Sequence, residues 1–164
     1  MLLADEEYDS IWERFTSRFG FRPSTRVFPG IDEPADSATW DLSRLDPSRH
    51  DALQAAVEHA LRECLRPGEE VYWLDWRHVA VRFDPHRVGG TGRPPWPGEV
   101  YPDGDYYIHV TGDLRLGTFG HPWERTLCVF GADLRARLAH RLGEVLGVPL
   151  RVGGQAPGVM RPLS

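Results

Sequence analysis

Three windows of helical periodicity, and short strands joined by few residues, predict an α+β fold. The expected form is a mainly antiparallel sheet of five to six strands with about three helices packed on one face. The order reads helix, strand, helix, two strands, three strands, helix. Strands joined by short links pair antiparallel, because parallel neighbours need a crossover of about a dozen residues. At 164 residues, with no internal repeat and no linker-like stretch, the chain is expected to be a single domain. An irregular tail is expected from about residue 148.

The first helix is predicted from about Asp5 to Phe19. Tyr8, Ile11, Trp12, Phe15 and Phe19 recur at spacings of three and four, and Gly20 is a natural stop. The opposite face mixes Glu13, Arg14 and Arg18, so this helix docks on a core and not on a membrane. Phe21 to Pro34 holds three prolines and reads as a connector, followed by a short strand at Ala38 to Leu42. Asp46 can cap the second helix with Pro47 at its first position. Leu53, Ala56, Val57, Ala60, Leu61 and Cys64 form its apolar face, and Arg66-Pro67-Gly68 ends it.

Strands near Val71 to Asp75 and His78 to Asp84 form a hairpin around Trp76-Arg77. Pro85 to Gly104 is a long Pro/Gly-rich loop with Trp96 at its middle. A loop of this length inside a compact domain is functional or disordered. Its tryptophan either pins it to the body or awaits a ligand, and pinning is the expectation. Strands at Asp105 to Thr111, Leu114 to Phe119 and Arg125 to Phe130 follow, then a helix from Gly131 to Gly147 with Leu134, Leu138, Leu142 and Val145 on one side. The tail has room for one short edge strand.

Composition narrows the chemistry. No run is apolar enough to span a membrane, and MLLADEEYDS is not a signal peptide, so the expected compartment is the cytoplasm. The net charge of −5 disfavours nucleic acid and anionic membranes as partners. Cys64 and Cys128 lie in apolar segments without a CxxC pattern and read as small buried residues. The chain has no lysine and no asparagine, so all 19 basic residues are arginine, and isoleucine occurs three times. That bias points to a GC-rich bacterial genome, with an actinobacterial source expected. It also removes Schiff-base lysine chemistry, a Walker phosphate loop and a Cys-His-Asn triad. GxSxG, GxGxxG and HExxH are absent. No cofactor or metal is expected.

Four patterns remain as candidates. Asp75-Trp76-Arg77-His78 places an aspartate and a histidine across a tight turn, a spacing that orients an imidazole, shares a metal or makes a structural hydrogen bond. In the stretch Tyr101 to Tyr107, Asp103-Gly104-Asp105 resembles a fragment of a calcium loop, but the other ligands are missing and Asp-Gly is a turn dipeptide. His109 shares a strand face with Tyr107 and Thr111. Ile108 and Val110 take the other, so Tyr107 and His109 are expected to point away from the helices, onto an open face. Finally, in Gly117-Thr118-Phe119-Gly120-His121-Pro122-Trp123-Glu124 a glycine-rich strand end runs into a turn that presents an imidazole, an indole and a carboxylate together. Alternatively, Trp123 packs on the sheet and His121 caps a carbonyl. Of the six tryptophans, Trp12, Trp40 and Trp73 read as core. Trp76, Trp96 and Trp123 are the better ligand candidates.

The strings WDLSRLD (Trp40 to Asp46), LDWRHVAVRFDP (Leu74 to Pro85), YPDGDYYIHV (Tyr101 to Val110) and FGHPWERTLCVFGADL (Phe119 to Leu134) resemble the bacterial domain-of-unknown-function family 2716. The opening helix fits as well. The resemblance spans nearly the whole chain apart from Arg87 to Val100 and the tail. It implies a small standalone bacterial protein and brings no activity, cofactor or catalytic residue. Members often carry glutamine where this chain has Arg77.

Two functions stand side by side. One is a non-catalytic binding module for a protein or small molecule, in the manner of an immunity protein that neutralises a toxin. The other is a small enzyme whose site on the open sheet face draws on Asp75, His78, Arg82, Tyr107, His109, His121 and Glu124. Oligomeric state is left open.

Overall fold

A computed structural model describes residues 1–157. Its elements are α1 (Asp5–Phe19), β1 (Ala38–Asp41), a 3₁₀ turn (Pro47–Arg49), α2 (His50–Cys64), β2 (Val71–Asp75), β3 (Ala80–Phe83), β4 (Tyr107–Thr111), β5 (Gly117–His121), β6 (Thr126–Phe130), α3 (Ala132–Leu146) and β7 (Arg151–Val152). All seven strands form one sheet in the order β3-β2-β4-β5-β6-β1-β7, and every pairing is antiparallel. The strand count exceeds the expected five to six by the short edge strand β7.

The helices form where the sequence periodicity puts them. α1 buries Ile11, Phe15 and Phe19 and stops at Gly20, whose left-handed conformation (φ 60°) lets its N–H reach Thr16 O at 2.8 Å. Asp46 accepts from Ser48 N at 2.9 Å and opens the 3₁₀ turn that leads into α2. Gly131 (φ 92°) makes the bend from β6 into α3, and a side chain there would collide with Leu116 and the Arg115 carbonyl.

The placement of the helices corrects the expectation of packing on one face. α1 lies on one side of the sheet, against Leu74, Ile108, Val110, Phe119, Cys128 and Phe130. α2 and α3 lie on the other, against Trp40, Val71, Trp73, Leu127 and Val129. Alternation along each strand feeds both cores, so β5 and β6 are buried along their whole length. Neither face is open. Tyr107 and His109 turn away from α1, as the alternation requires, but into the side that α2, α3 and the Pro85–Gly104 loop cover. Cys128 is buried, whereas Cys64 is only half-buried, and both are free thiols that burial pushes up to about 12.

The β3 edge of the sheet is covered by the N-terminal residues. Met1 to Leu3 lie along β3, with Leu3 N donating to Ala80 O and Arg82 N to Met1 O. No helix among the described residues is long and apolar enough to cross a membrane.

Candidate functional site

The candidate residues fall into separate places, except that Asp75, His78 and Asp105 meet at the β2–β3 turn. His78 lies exposed at the β2–β3 turn, His109 is buried on the α2/α3 side of β4, and His121 is buried at the end of β5 on the α1 side. These three do not converge, so no shared site on an open face exists. Arg82 stands apart from all of them, in ion pairs with Glu7 and Glu70. Trp76 packs on Phe21 and Tyr106 with Arg77 over its ring, which makes it a wall of the α1 core.

Trp96 pins its loop. Its indole N–H donates to His109 Nε2 at 3.1 Å, its ring meets Phe83 edge-on, and the Arg62 guanidinium stacks 5.3 Å from its centre. Arg62 also donates to the carbonyls of Pro85 and Val88. His109 therefore carries its proton on Nδ1, which is buried and finds no partner among the described residues, and the same holds for the hydroxyl of its cross-strand neighbour Thr118. Burial pushes His109 down to about 3, so it is neutral at physiological pH. Trp96→Phe deletes the one hydrogen bond to this imidazole. We expect a loss of about 1–3 kcal/mol in urea denaturation, the cost of a buried acceptor left unpaired. An unchanged midpoint would show that the bond contributes nothing.

At the β5–β6 turn, His121 Nδ1 accepts from the backbone N–H of Trp123 and Glu124 at 3.2 and 3.1 Å. The imidazole thus caps amides and not a carbonyl. Trp123 packs on Tyr106 with one side exposed. Glu124 turns away into an ion-pair network with Arg151 and Glu33.

A groove of about 660 Å³ runs between α2 and the Trp96–Tyr107 segment. Aromatic rings of Trp73, Trp96, Tyr101 and Tyr107 line it, together with carboxylates of Asp51, Glu58, Glu99 and Asp103. Among the described residues no arginine lines it, and His50, stacked 4.0 Å from Tyr101, is its one basic lining residue. Gln54 holds the groove's shape by donating to Gly98 O at 3.0 Å and accepting from Val100 N at 2.8 Å. The Trp73 indole donates to Glu99 O at 3.0 Å. Gly98 lies flat on the Trp73 ring, where any Cβ would clash. Burial, and then Asp75 and Glu99, push the Tyr107 phenol up.

Trp96 and Tyr107 were among the sequence candidates, but most of this groove was not. Asp51, Gln54 and Glu58 recur at spacings of three and four along α2, a polar stripe that was the available signal. The contribution of Glu99, Tyr101 and Asp103 depends on how the loop folds back, which no local pattern encodes.

Helices on both faces of a seven-stranded antiparallel sheet, with an acidic, aromatic groove beside α2, define a small α+β protein. The chain belongs to the family described as protein of unknown function (DUF2716), whose model matches residues 2–135. It is similar to the uncharacterized protein YxiI of Bacillus subtilis (strain 168), at 28% identity over 142 residues, 80% of this chain and 87% of that protein. No solved structure matches.

Proposed function

We propose that the chain is a non-catalytic binding module whose groove takes a cationic group, the arginine or lysine of a basic segment on a partner protein. The observation that carries this reading is the lining: four carboxylates and four aromatic rings around one groove, of which Arg62 engages only the Trp96 ring and, at 3.7 Å, Glu58. Aromatic faces attract guanidinium and ammonium groups through the ring quadrupole, and flanking carboxylates add charge-assisted hydrogen bonds. The net charge of −5 favours capture of a basic partner at the encounter stage. Gln54 and the Trp73 and Trp96 hydrogen bonds hold these groups in place before a ligand arrives, which limits the entropy lost on binding.

The test is a titration with a short arginine-rich peptide, read by tryptophan fluorescence. Saturable binding is expected to weaken with salt and to fall about tenfold, near 1.4 kcal/mol, in a Glu58→Gln/Asp103→Asn variant. Equal binding of an acidic peptide, or no saturable change at all, would sink the reading.

A further inference from the structure

We propose that Asp75, His78 and Asp105 form a binding site for one divalent transition-metal ion of borderline softness, with zinc as the best fit. Asp75 ends β2, His78 follows across the turn, and Asp105 arrives from the loop before β4. His78 Nδ1 lies 3.0 Å from Asp75 Oδ1 and 3.0 Å from Asp105 Oδ2. Among the described residues this is the one group whose three ligand atoms all lie within 4.8 Å of one another. Two ligands each about 2.1 Å from an ion stand about 3.0 Å apart at right angles and about 3.4 Å apart at the tetrahedral angle that zinc prefers, so a shift of a few tenths of an ångström lets all three groups bind a single zinc ion from one side.

Two further features favour a cation here. Asp105 uses its other oxygen, Oδ1, to accept from Tyr106 N at 2.9 Å, which leaves Oδ2 oriented toward the imidazole, as supporting hydrogen bonds orient metal-ligating carboxylates. The charges are also unbalanced. Two carboxylates face one imidazole, and the nearby Arg77 guanidinium is engaged over the Trp76 ring at 4.4 Å. A divalent ion with a neutral imidazole brings the three groups to zero net charge. One nitrogen and two oxygens suit zinc or manganese better than calcium, which takes six to eight oxygens, or magnesium, which is held chiefly by oxygen. The His78 side chain is 63% exposed, so the ion keeps positions open to water or to a ligand. The same 3.0 Å contacts would suit an imidazolium bridging two carboxylates, and zinc distinguishes the two.

This inference does not rest on the groove. The experiment is calorimetric titration of metal-free full-length protein with Zn²⁺, repeated with Mg²⁺, with elemental analysis after dialysis. One zinc per chain and no magnesium uptake are expected. Binding should fall at least tenfold in His78→Ala and again in Asp105→Asn, a variant that keeps an acceptor for Tyr106 N. The helical pairs His59–Glu63 and His140–Glu144 are the competing surface ligands, so a His59→Ala/His140→Ala variant should retain the full stoichiometry. Zinc uptake unchanged by His78→Ala and Asp105→Asn, or uptake abolished by the helical pair of substitutions, overturns the site. So does the absence of stoichiometric binding.

Discussion

Acidification from pH 6.5 to pH 4 is expected to remove on the order of 6 kcal/mol of stability, at about 1.4 kcal/mol per pH unit for each of two buried histidines. His109 is pushed down to about 3 by burial alone. Burial likewise brings His121 down to about 4, with Glu124 opposing and Arg151 reinforcing the shift. In the unfolded chain both imidazoles titrate near 6.5. Between that value and the folded ones the unfolded state binds more protons, so stability is fully present above pH 6.5 and drains as the pH falls. The His109 contribution is exhausted near pH 3 and that of His121 near pH 4. His78 works in the opposite sense, held up by Asp75 and then Asp105, but it is too exposed to offset the loss. A decline of this size rivals the total stability of an ordinary domain, so the chain should unfold before pH 4. Urea melts at pH 7.5, 6 and 5 measure the slope. Proton NMR assigns it, with two of the seven histidines expected not to titrate between pH 8 and 5 in the folded protein. A pH-independent urea midpoint, or seven imidazoles titrating normally, would refute the argument.

The two histidines also mark where the sequence was legible and where it was not. Helix periodicity was unambiguous, because Ile11, Phe15 and Phe19 or Leu134, Leu138 and Leu142 repeat along one side and nothing competes with that pattern. The burial of both sheet faces was written in TLCVF of β6, a continuous apolar run of the kind a doubly covered strand needs. On β4 the polar set Tyr107, His109 and Thr111 gave the opposite impression, of a face left to solvent. What covers it is the Pro85–Gly104 loop, through the Trp96–His109 bond, and that loop has no period from which its path follows. The clamp on the groove joins Gln54 to Gly98 and Val100 across 44 and 46 residues. Side-chain bonds between distant segments leave no spacing signature, so the groove is a property of the tertiary fold. Asp75 and His78, three apart on one turn, were visible in sequence; Asp105, 30 residues away, joins them only in space.

Replacing Arg151 by methionine is expected to cost about 3 kcal/mol at pH 7, because it leaves two carboxylates buried without a counter-ion. The Arg151 guanidinium donates from Nε to Glu33 Oε1 at 2.7 Å and from Nη2 to Glu33 Oε2 at 3.0 Å, while Nη1 and Nη2 reach the two oxygens of Glu124 at 2.8 and 2.9 Å. Side-chain exposures of 15%, 3% and 12% for Arg151, Glu33 and Glu124 keep water from substituting for it. Thr39 and Thr126 hydroxyls donate to Glu33 and Glu124 and complete the arrangement. Burial alone would push Glu124 up, but the bonds from Arg151 and Thr126 outweigh it and hold the carboxyl below its usual range. Without Arg151 the burial effect is left unopposed by the guanidinium, and the Glu124 carboxyl should rise above its unfolded value. Its folded form then takes up protons more readily than the unfolded chain, so the deficit of the variant should shrink between pH 8 and pH 5. Because the histidines act on both proteins, the comparison is made at each pH against the unaltered chain. Glu124→Gln in the Arg151→Met background should recover part of the loss, and a double-mutant cycle gives the coupling directly. The network binds the edge strand β7 to the β5–β6 turn, so its loss should also loosen that turn, with faster amide exchange at Trp123 and Glu124 as the sign. A deficit below about 0.5 kcal/mol, equal at pH 5 and pH 8, would mean that solvent already satisfies both carboxylates and that β7 is held by its backbone pairing to β1 alone.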